Sequence, residues 1–234
     1  MIKEKLGHRI DGWIHSFFPF LFWRRLNPDL LTVLGTLIAA TAGLAFAMEA
    51  FRLAGVLLLL GGFFDLVDGV VARHFGSSTR FGAFLDSTLD RVVDILVMVG
   101  LLVFFARRTV LSSAADPAWP PGFEGSSAVV GIFLCAVILV ASVVTSYAKA
   151  RAELILDRMP GGLLERGERI GLLAFGALLG WLWPILWVLA IGTVVTVCQR
   201  FLYAQREMSR LDLADDSFSA SRTTAQAAQT VEDG

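Results

Sequence analysis

Two pairs of acids stand out in this 234-residue sequence because of where they sit and how they are spaced. Asp65 and Asp68 are three residues apart, Asp86 and Asp90 are four apart, and both pairs lie within apolar runs. On a helix either spacing puts the two carboxylates on one face. The connection from Arg73 to Gly82 is short enough to fold the second run back antiparallel to the first, so all four acids can converge at one depth. A carboxylate within hydrocarbon costs about 2.5–3.5 kcal/mol even on the lenient insertion scale, and crowding adds repulsion. Such a cluster must be protonated or must bind hard cations. Oxygen-only ligands favour Mg²⁺, Mn²⁺ or Ca²⁺ over zinc or copper. A pair of divalent ions suits chemistry on a diphosphate, because it stabilises the charge that develops as one phosphate leaves.

The residues around the acids fit that task. Gly69 and Ala72 remove bulk beside Asp68, and Gly82 does so across the gap, so a large headgroup can approach the backbone. Arg73 can neutralise a phosphate oxygen with its planar fork. Asp90, one turn deeper than Asp86, can take a proton from an incoming hydroxyl. Asp94, a further turn on, reads as a helix-packing residue or an outer partner of the site rather than another ligand.

The elements that must hold these residues are membrane helices. The chain is 56% hydrophobic and 18% charged, where a soluble domain carries about a quarter charged residues. The apolar residues gather in runs near the roughly 20 residues needed to cross a hydrocarbon core. The sequence predicts an all-α integral membrane protein with six transmembrane helices, over residues 30–48, 53–72, 84–105, 128–148, 170–181 and 185–203. The fifth is short, has a polar N-terminal end suited to lining a cavity, and is followed by an interfacial turn at Trp181-Leu182-Trp183-Pro184. An amphipathic helix precedes them: Ile10, Trp13, Ile14, Phe17, Phe18, Leu21 and Phe22 recur on one helical face, as expected of a helix lying in the interface plane.

Three regions result: the cytoplasmic interfacial helix (1–26), the membrane domain (27–205), and a polar tail (206–234) expected to be disordered. The 106–127 loop reads as an external connection without chemistry. Cys135 and Cys198 both fall in apolar runs and read as small buried hydrophobes.

Basic residues orient the bundle. Lys3, Lys5, Arg9, Arg24 and Arg25 precede the first span. Arg73 and Arg80 follow the second, Lys149, Arg151, Arg158, Arg166 and Arg169 follow the fourth, and Arg200, Arg206 and Arg210 follow the sixth. The opposite side has Arg52, Arg107 and Arg108. The positive-inside rule therefore places both termini, and the acids, on the cytoplasmic side of the inner membrane. The net charge of −1 gives no global field for nucleic acid.

The pattern Asp-x2-Asp-Gly-x2-Ala-Arg-x8-Gly-x3-Asp-x3-Asp, present from Asp65 to Asp90 without departure, resembles the signature of the CDP-alcohol phosphotransferases. The resemblance extends over residues 10–205, including the Asn27-Pro28-Asp29-Leu30-Leu31-Thr32 start of the first span. It implies that Asp65, Asp68 and Asp86 bind two divalent cations, Mg²⁺ or Mn²⁺, and that Asp90 is the base. It further implies that Gly69, Ala72, Arg73 and Gly82 contact the CDP moiety, and that the enzyme is a homodimer. The reaction implied is attack of an alcohol hydroxyl on the lipid-side phosphate of CDP-diacylglycerol, releasing CMP.

The acceptor is read from two basic runs. Ser146-Tyr147-Ala148-Lys149-Ala150-Arg151-Ala152-Glu153 and Glu165-Arg166-Gly167-Glu168-Arg169 look like those of phosphatidylinositol-phosphate synthases and their archaeal counterparts. This implies that Lys149, Arg151 and Arg169 hold the phosphate of inositol 1-phosphate, a phosphorylated polyol. Glycerol 3-phosphate, the acceptor in phosphatidylglycerophosphate synthesis, would suit the same cations. A transporter would place acids near the midplane on broken helices or in an inverted repeat; here they cluster at one end, beside basic residues.

Overall fold

The computed structural model describes residues 27–111, 119–120, 123 and 127–232, with the side chains of Leu111 and of residues beyond 213 excepted. The amphipathic segment expected over 10–22 lies outside the described residues. Among the described residues every regular element is a helix: α1 (Pro28–Ala47), α2 (Phe51–His74), α3 (Arg80–Leu111), α4 (Ala128–Ala152), α5 (Arg166–Leu179) and α6 (Leu182–Glu232).

Local chemistry sets the boundaries. Asn27 caps α1, its side chain accepting the Asp29 N–H at 3.0 Å, and Pro28 takes the first helical position, where no N–H is needed. Glu165 and Glu168 form a capping box at the start of α5. Gly180, at φ 73°, ends α5 in the left-handed conformation, and the Trp181 N–H reaches back to the Gly176 carbonyl at 2.8 Å. The tight turn is therefore at Gly180–Trp181 and α6 starts at Leu182, three residues before the predicted span, with Pro184 tolerated in its first turn.

Four of the helices, α1, α2, α4 and α6 over Leu182–Leu213, are long and apolar enough to cross a membrane. α3 has 32 residues but carries the acids; α5 has 14 residues, about 21 Å of helix. Large apolar side chains such as Leu37, Leu44, Phe133, Val140 and Ile191 face outward, while Asp68, Asp94, Thr145, Arg169 and Arg200 are buried. Apolar outside and charged inside is the arrangement lipid selects.

The helices form a closed ring in which α1 packs on α2, α2 on α5, α5 on α6, α6 on α4, α4 on α3, and α3 again on α1. Small residues allow the tightest crossings. Gly35, Ala39 and Gly43 line one face of α1. A Cβ on Gly35 would meet Phe64 of α2 at 2.7 Å, and one on Gly100 of α3 would collide with the Gly43 backbone. α2 and α3 are thus both clamped to α1 and are not packed directly against each other, which leaves a gap between their acidic ends.

Two details differ from the sequence reading. α6 continues as helix to Glu232 where a disordered tail is expected; no Gly or Pro interrupts residues 193–233, and Ala, Gln and Arg favour helix there. Cys135 is buried, but Cys198 is exposed on the outer face of α6. On the side away from the acids, Glu49, at φ 64°, accepts from Arg108 at 2.6 Å, and the Arg108 guanidinium stands 5.7 Å from the rings of both Phe104 and Trp119. Phe123, from the loop expected to be without chemistry, is fully buried in that aromatic cluster.

Candidate active site

Asp65 and Asp68 near the C-terminal end of α2, and Asp86 on the second turn of α3, each offer a carboxylate oxygen within 4.8 Å of the other two. Opposite ligands of one octahedral Mg²⁺ stand about 4 Å apart. Three oxygen donors at this separation, from two rigid helices, fit the divalent cations that the donor chemistry calls for. Thr32 of α1 donates its hydroxyl to Asp68 Oδ2 at 2.5 Å, fixing that carboxylate from outside the cluster.

Asp90 is not one of the three. Its Oδ1 accepts from Arg166 Nη1 at 2.8 Å, and Arg91 Nη2 lies 3.6 Å from its Oδ2. The same Arg166 nitrogen is 3.4 Å from Asp65. One guanidinium from α5 therefore bridges the metal-type cluster and the fourth aspartate. Asp94, a turn deeper and 7% exposed, accepts from Arg169 at 2.9 Å, which agrees with its reading as an outer partner rather than a ligand.

The small residues of the motif have close neighbours of their own. The Arg73 side chain runs back over Gly69, its Nη1 3.3 Å from where a Cβ would stand. At Gly82 a Cβ would come within 2.9 Å of Asp29 Oδ1 and 3.0 Å of Thr79 Oγ1, and the Gly82 N–H donates to Thr79 at 2.8 Å. Gly69 thus leaves room for the Arg73 side chain, and Gly82 for Asp29 of α1. Ala72 is the remaining small residue on the α2 side.

The basic residues are only partly as expected. A cavity of about 980 Å³ opens from Asp65 and Asp90 and is lined by Lys149 and Arg169, together with Arg91, Arg166 and Arg200. Arg151 is not among its lining residues. It faces a separate cavity of about 340 Å³ between α4 and α6, beside Tyr147, Phe201 and Met208. Of the three residues expected to hold the acceptor phosphate, Lys149 and Arg169 line this cavity and Arg151 lines the other, because positions i and i+2 on a helix do not face the same way.

Arg91, Arg166 and Arg200 were missed as site residues. Arg200 entered the sequence reading only as a positive-inside charge, and Arg166 as such a charge and within the Glu165–Arg169 run, without a role at the site. Arg166 stands three residues before Arg169, hence on its face, and Arg200 is 7% exposed, with Nη1 donating to the Thr145 carbonyl at 2.6 Å. A buried arginine at the end of an apolar run is the signal that could have found it. A further cavity of about 330 Å³, walled by Gly35, Ala39, Leu58, Gly62, Phe63 and Gly171, reaches Asp65 and Asp90 from between α1, α2 and α5.

Comparison with known proteins identifies the family. Residues 25–199 match the family model described as CDP-alcohol phosphatidyltransferase. The phosphatidylinositol phosphate synthase of Mycobacteroides abscessus is 37% identical over 211 residues, covering 87% of this chain and 88% of that protein. The crystal structure of Mycobacterium tuberculosis phosphatidylinositol phosphate synthase in complex with manganese and citrate is similar with a TM-score of 0.65 and 32% identity, over 77% of this chain and 83% of that one. The structure of the same mycobacterial enzyme with CDP-DAG bound gives a TM-score of 0.63 at 30% identity, over 86% and 94% of the two chains.

Proposed function

The chain belongs to the CDP-alcohol phosphatidyltransferase family, and from that premise we propose that it transfers the phosphatidyl group of CDP-diacylglycerol to inositol 1-phosphate, releasing CMP. The observation that carries this reading is the single cavity that joins Asp65 and Asp90 to Lys149, Arg166, Arg169 and Arg200. A phosphate on the acceptor accounts for so many cations beside a diphosphate site; a free alcohol does not. The relatives named above act in the same sense.

Asp65, Asp68 and Asp86 hold two divalent cations, Mg²⁺ or Mn²⁺. When bound, these neutralise the diphosphate and stabilise the charge developing on the leaving CMP. Gly69, Ala72 and Gly82 let the CDP moiety approach the backbone, and Arg73 takes a phosphate oxygen. The apolar cavity between α1, α2 and α5 suits an acyl chain of the donor. Lys149 and Arg169 hold the acceptor phosphate. Asp90 takes the proton of the attacking hydroxyl as its oxygen bonds to the lipid-side phosphorus and the bond to CMP breaks; the proton then leaves to solvent.

In this reading α1 to α6 are six transmembrane helices of the inner membrane. The interfacial helix over 10–22 and both termini are cytoplasmic, the active site opens to the cytoplasm, and the enzyme works as a homodimer. The positive-inside distribution supports the orientation.

The test is CMP release from CDP-diacylglycerol by the purified protein with Mg²⁺ or Mn²⁺, offering inositol 1-phosphate, glycerol 3-phosphate, inositol and serine separately. The expected result is release with inositol 1-phosphate alone. Release with glycerol 3-phosphate alone would overturn the acceptor assignment and leave the family chemistry in place.

A further inference from the structure

Asp94 and the two arginines of α5 form an arrangement that neither the metal cluster nor the base requires. α3 and α5 are not adjacent in the ring, yet Asp94 of α3 meets Arg169 at 2.9 Å with both side chains 7% exposed. Arg169 Nη1 also donates to the Leu164 carbonyl at 3.3 Å. Arg166 Nε stands 3.8 Å from Asp94 Oδ1, and among the described residues each of these two buried atoms lacks a hydrogen-bond partner. Meanwhile the far end of Arg166 spans Asp90 and Asp65.

An arginine seated on a buried carboxylate by one edge presents its remaining N–H groups in a fixed direction. Here both guanidiniums also line the cavity that contains Lys149 and Arg200. We propose that Asp94 is the positioning residue of the acceptor site: it holds Arg169, and through Nε Arg166, so that their outer N–H groups converge on one anionic group in that cavity. This rests on the reading that the cavity takes the acceptor's phosphate. It follows that Asp94 governs affinity for the acceptor through Arg169, while the donor and metal sites on α2, α1 and the start of α3 change little because the far end of Arg166 keeps its own contacts to Asp90 and Asp65.

Initial rates of CMP release are measured for wild type, Asp94→Asn, Asp94→Glu, Arg169→Lys and Lys149→Ala, varying inositol 1-phosphate, CDP-diacylglycerol and Mn²⁺ in turn. Loss of one charge-assisted contact is expected to raise the KM for inositol 1-phosphate about tenfold or more in Asp94→Asn. The KM for CDP-diacylglycerol and half-saturation by Mn²⁺ stay near wild type, a split that a general loss of packing would not produce. Should Asp94→Asn fail to fold, Asp94→Glu, which keeps the charge but pushes the guanidiniums out of register, carries the same expectation. An unchanged acceptor KM in the folded Asp94 variants, or an equal rise in both substrates' KM, overturns the proposal. If Arg169→Lys and Lys149→Ala also leave the acceptor KM unchanged, the acceptor reading has failed; if they raise it while the Asp94 variants do not, the role of Asp94 alone has failed.

Discussion

The Thr32 hydroxyl donates to Asp68 Oδ2 at 2.5 Å, so a helix that contributes no carboxylate to the metal-type cluster sets the orientation of one of its members. The Pro28 carbonyl, 3.1 Å away, is the alternative acceptor for the same hydroxyl. Thr32 stands one turn into α1, whose start is fixed by the Asn27 cap and whose face is locked to α2 at Gly35 and Gly61. A ligand held by an outer hydrogen bond loses less freedom when it binds a cation. Outer partners of this kind change metal affinity about 10- to 100-fold. Thr32→Val should weaken Mn²⁺ binding by that order, measured by electron paramagnetic resonance on the purified protein, and Thr32→Ser should restore it. Wild-type affinity in Thr32→Val would show that the bond does not support the metal site.

Asp65, Asp68 and Asp86 are assigned the cations as a set. Asp86→Asn is expected to lose both Mn²⁺ binding and CMP release. Chelation of the wild type should stop release, and added Mg²⁺ or Mn²⁺ should bring it back. Activity that survives thorough chelation would remove the cations from the mechanism.

Arg151 and Lys149 are two residues apart and line different cavities. Arg151→Ala should leave the KM for inositol 1-phosphate within about twofold of wild type, while Lys149→Ala raises it several-fold, about 1 kcal/mol of a screened contact. Equal effects of the two substitutions in steady-state kinetics would mean that both reach the acceptor.

The crossing of α1 and α3 has no room for a side chain at Gly100, where a Cβ would run into the Gly43 backbone. Gly100→Ala should destabilise the bundle by about 1–3 kcal/mol, seen as a lower Tm in lipid nanodiscs. Gly171, whose Cβ would meet nothing within 4 Å, should accept alanine with little change in Tm.

The parts of this arrangement that depend on helical spacing were legible in the sequence. The i, i+3 and i, i+4 acid pairs announced a shared face, and the short connection after Arg73 announced that the pairs would meet. What was not legible depended on which helices become neighbours. Nothing in the order of spans says that α5 returns beside α2, so Arg166 was counted as a topology signal when its guanidinium in fact bridges Asp65 and Asp90. Arg200 was hidden for the same reason, since α6 faces α4 only in the closed ring. Arg151 was read with Lys149 as one basic run, and it lines a different cavity because a helix sends alternate residues to different sides.

The most direct test of the account is Asp90→Asn, assayed for phosphatidyl transfer to inositol 1-phosphate alongside Mn²⁺ binding and metal-dependent binding of CDP-diacylglycerol. Asp90 stands apart from the three clustered carboxylates and within 2.8 Å of Arg166, so the substitution should remove the proton acceptor and spare the metals. Transfer should fall by at least about a hundredfold, with both binding measurements near wild type. Wild-type turnover would contradict the assignment of Asp90 as the base, and loss of Mn²⁺ binding together with transfer would make it a metal residue instead.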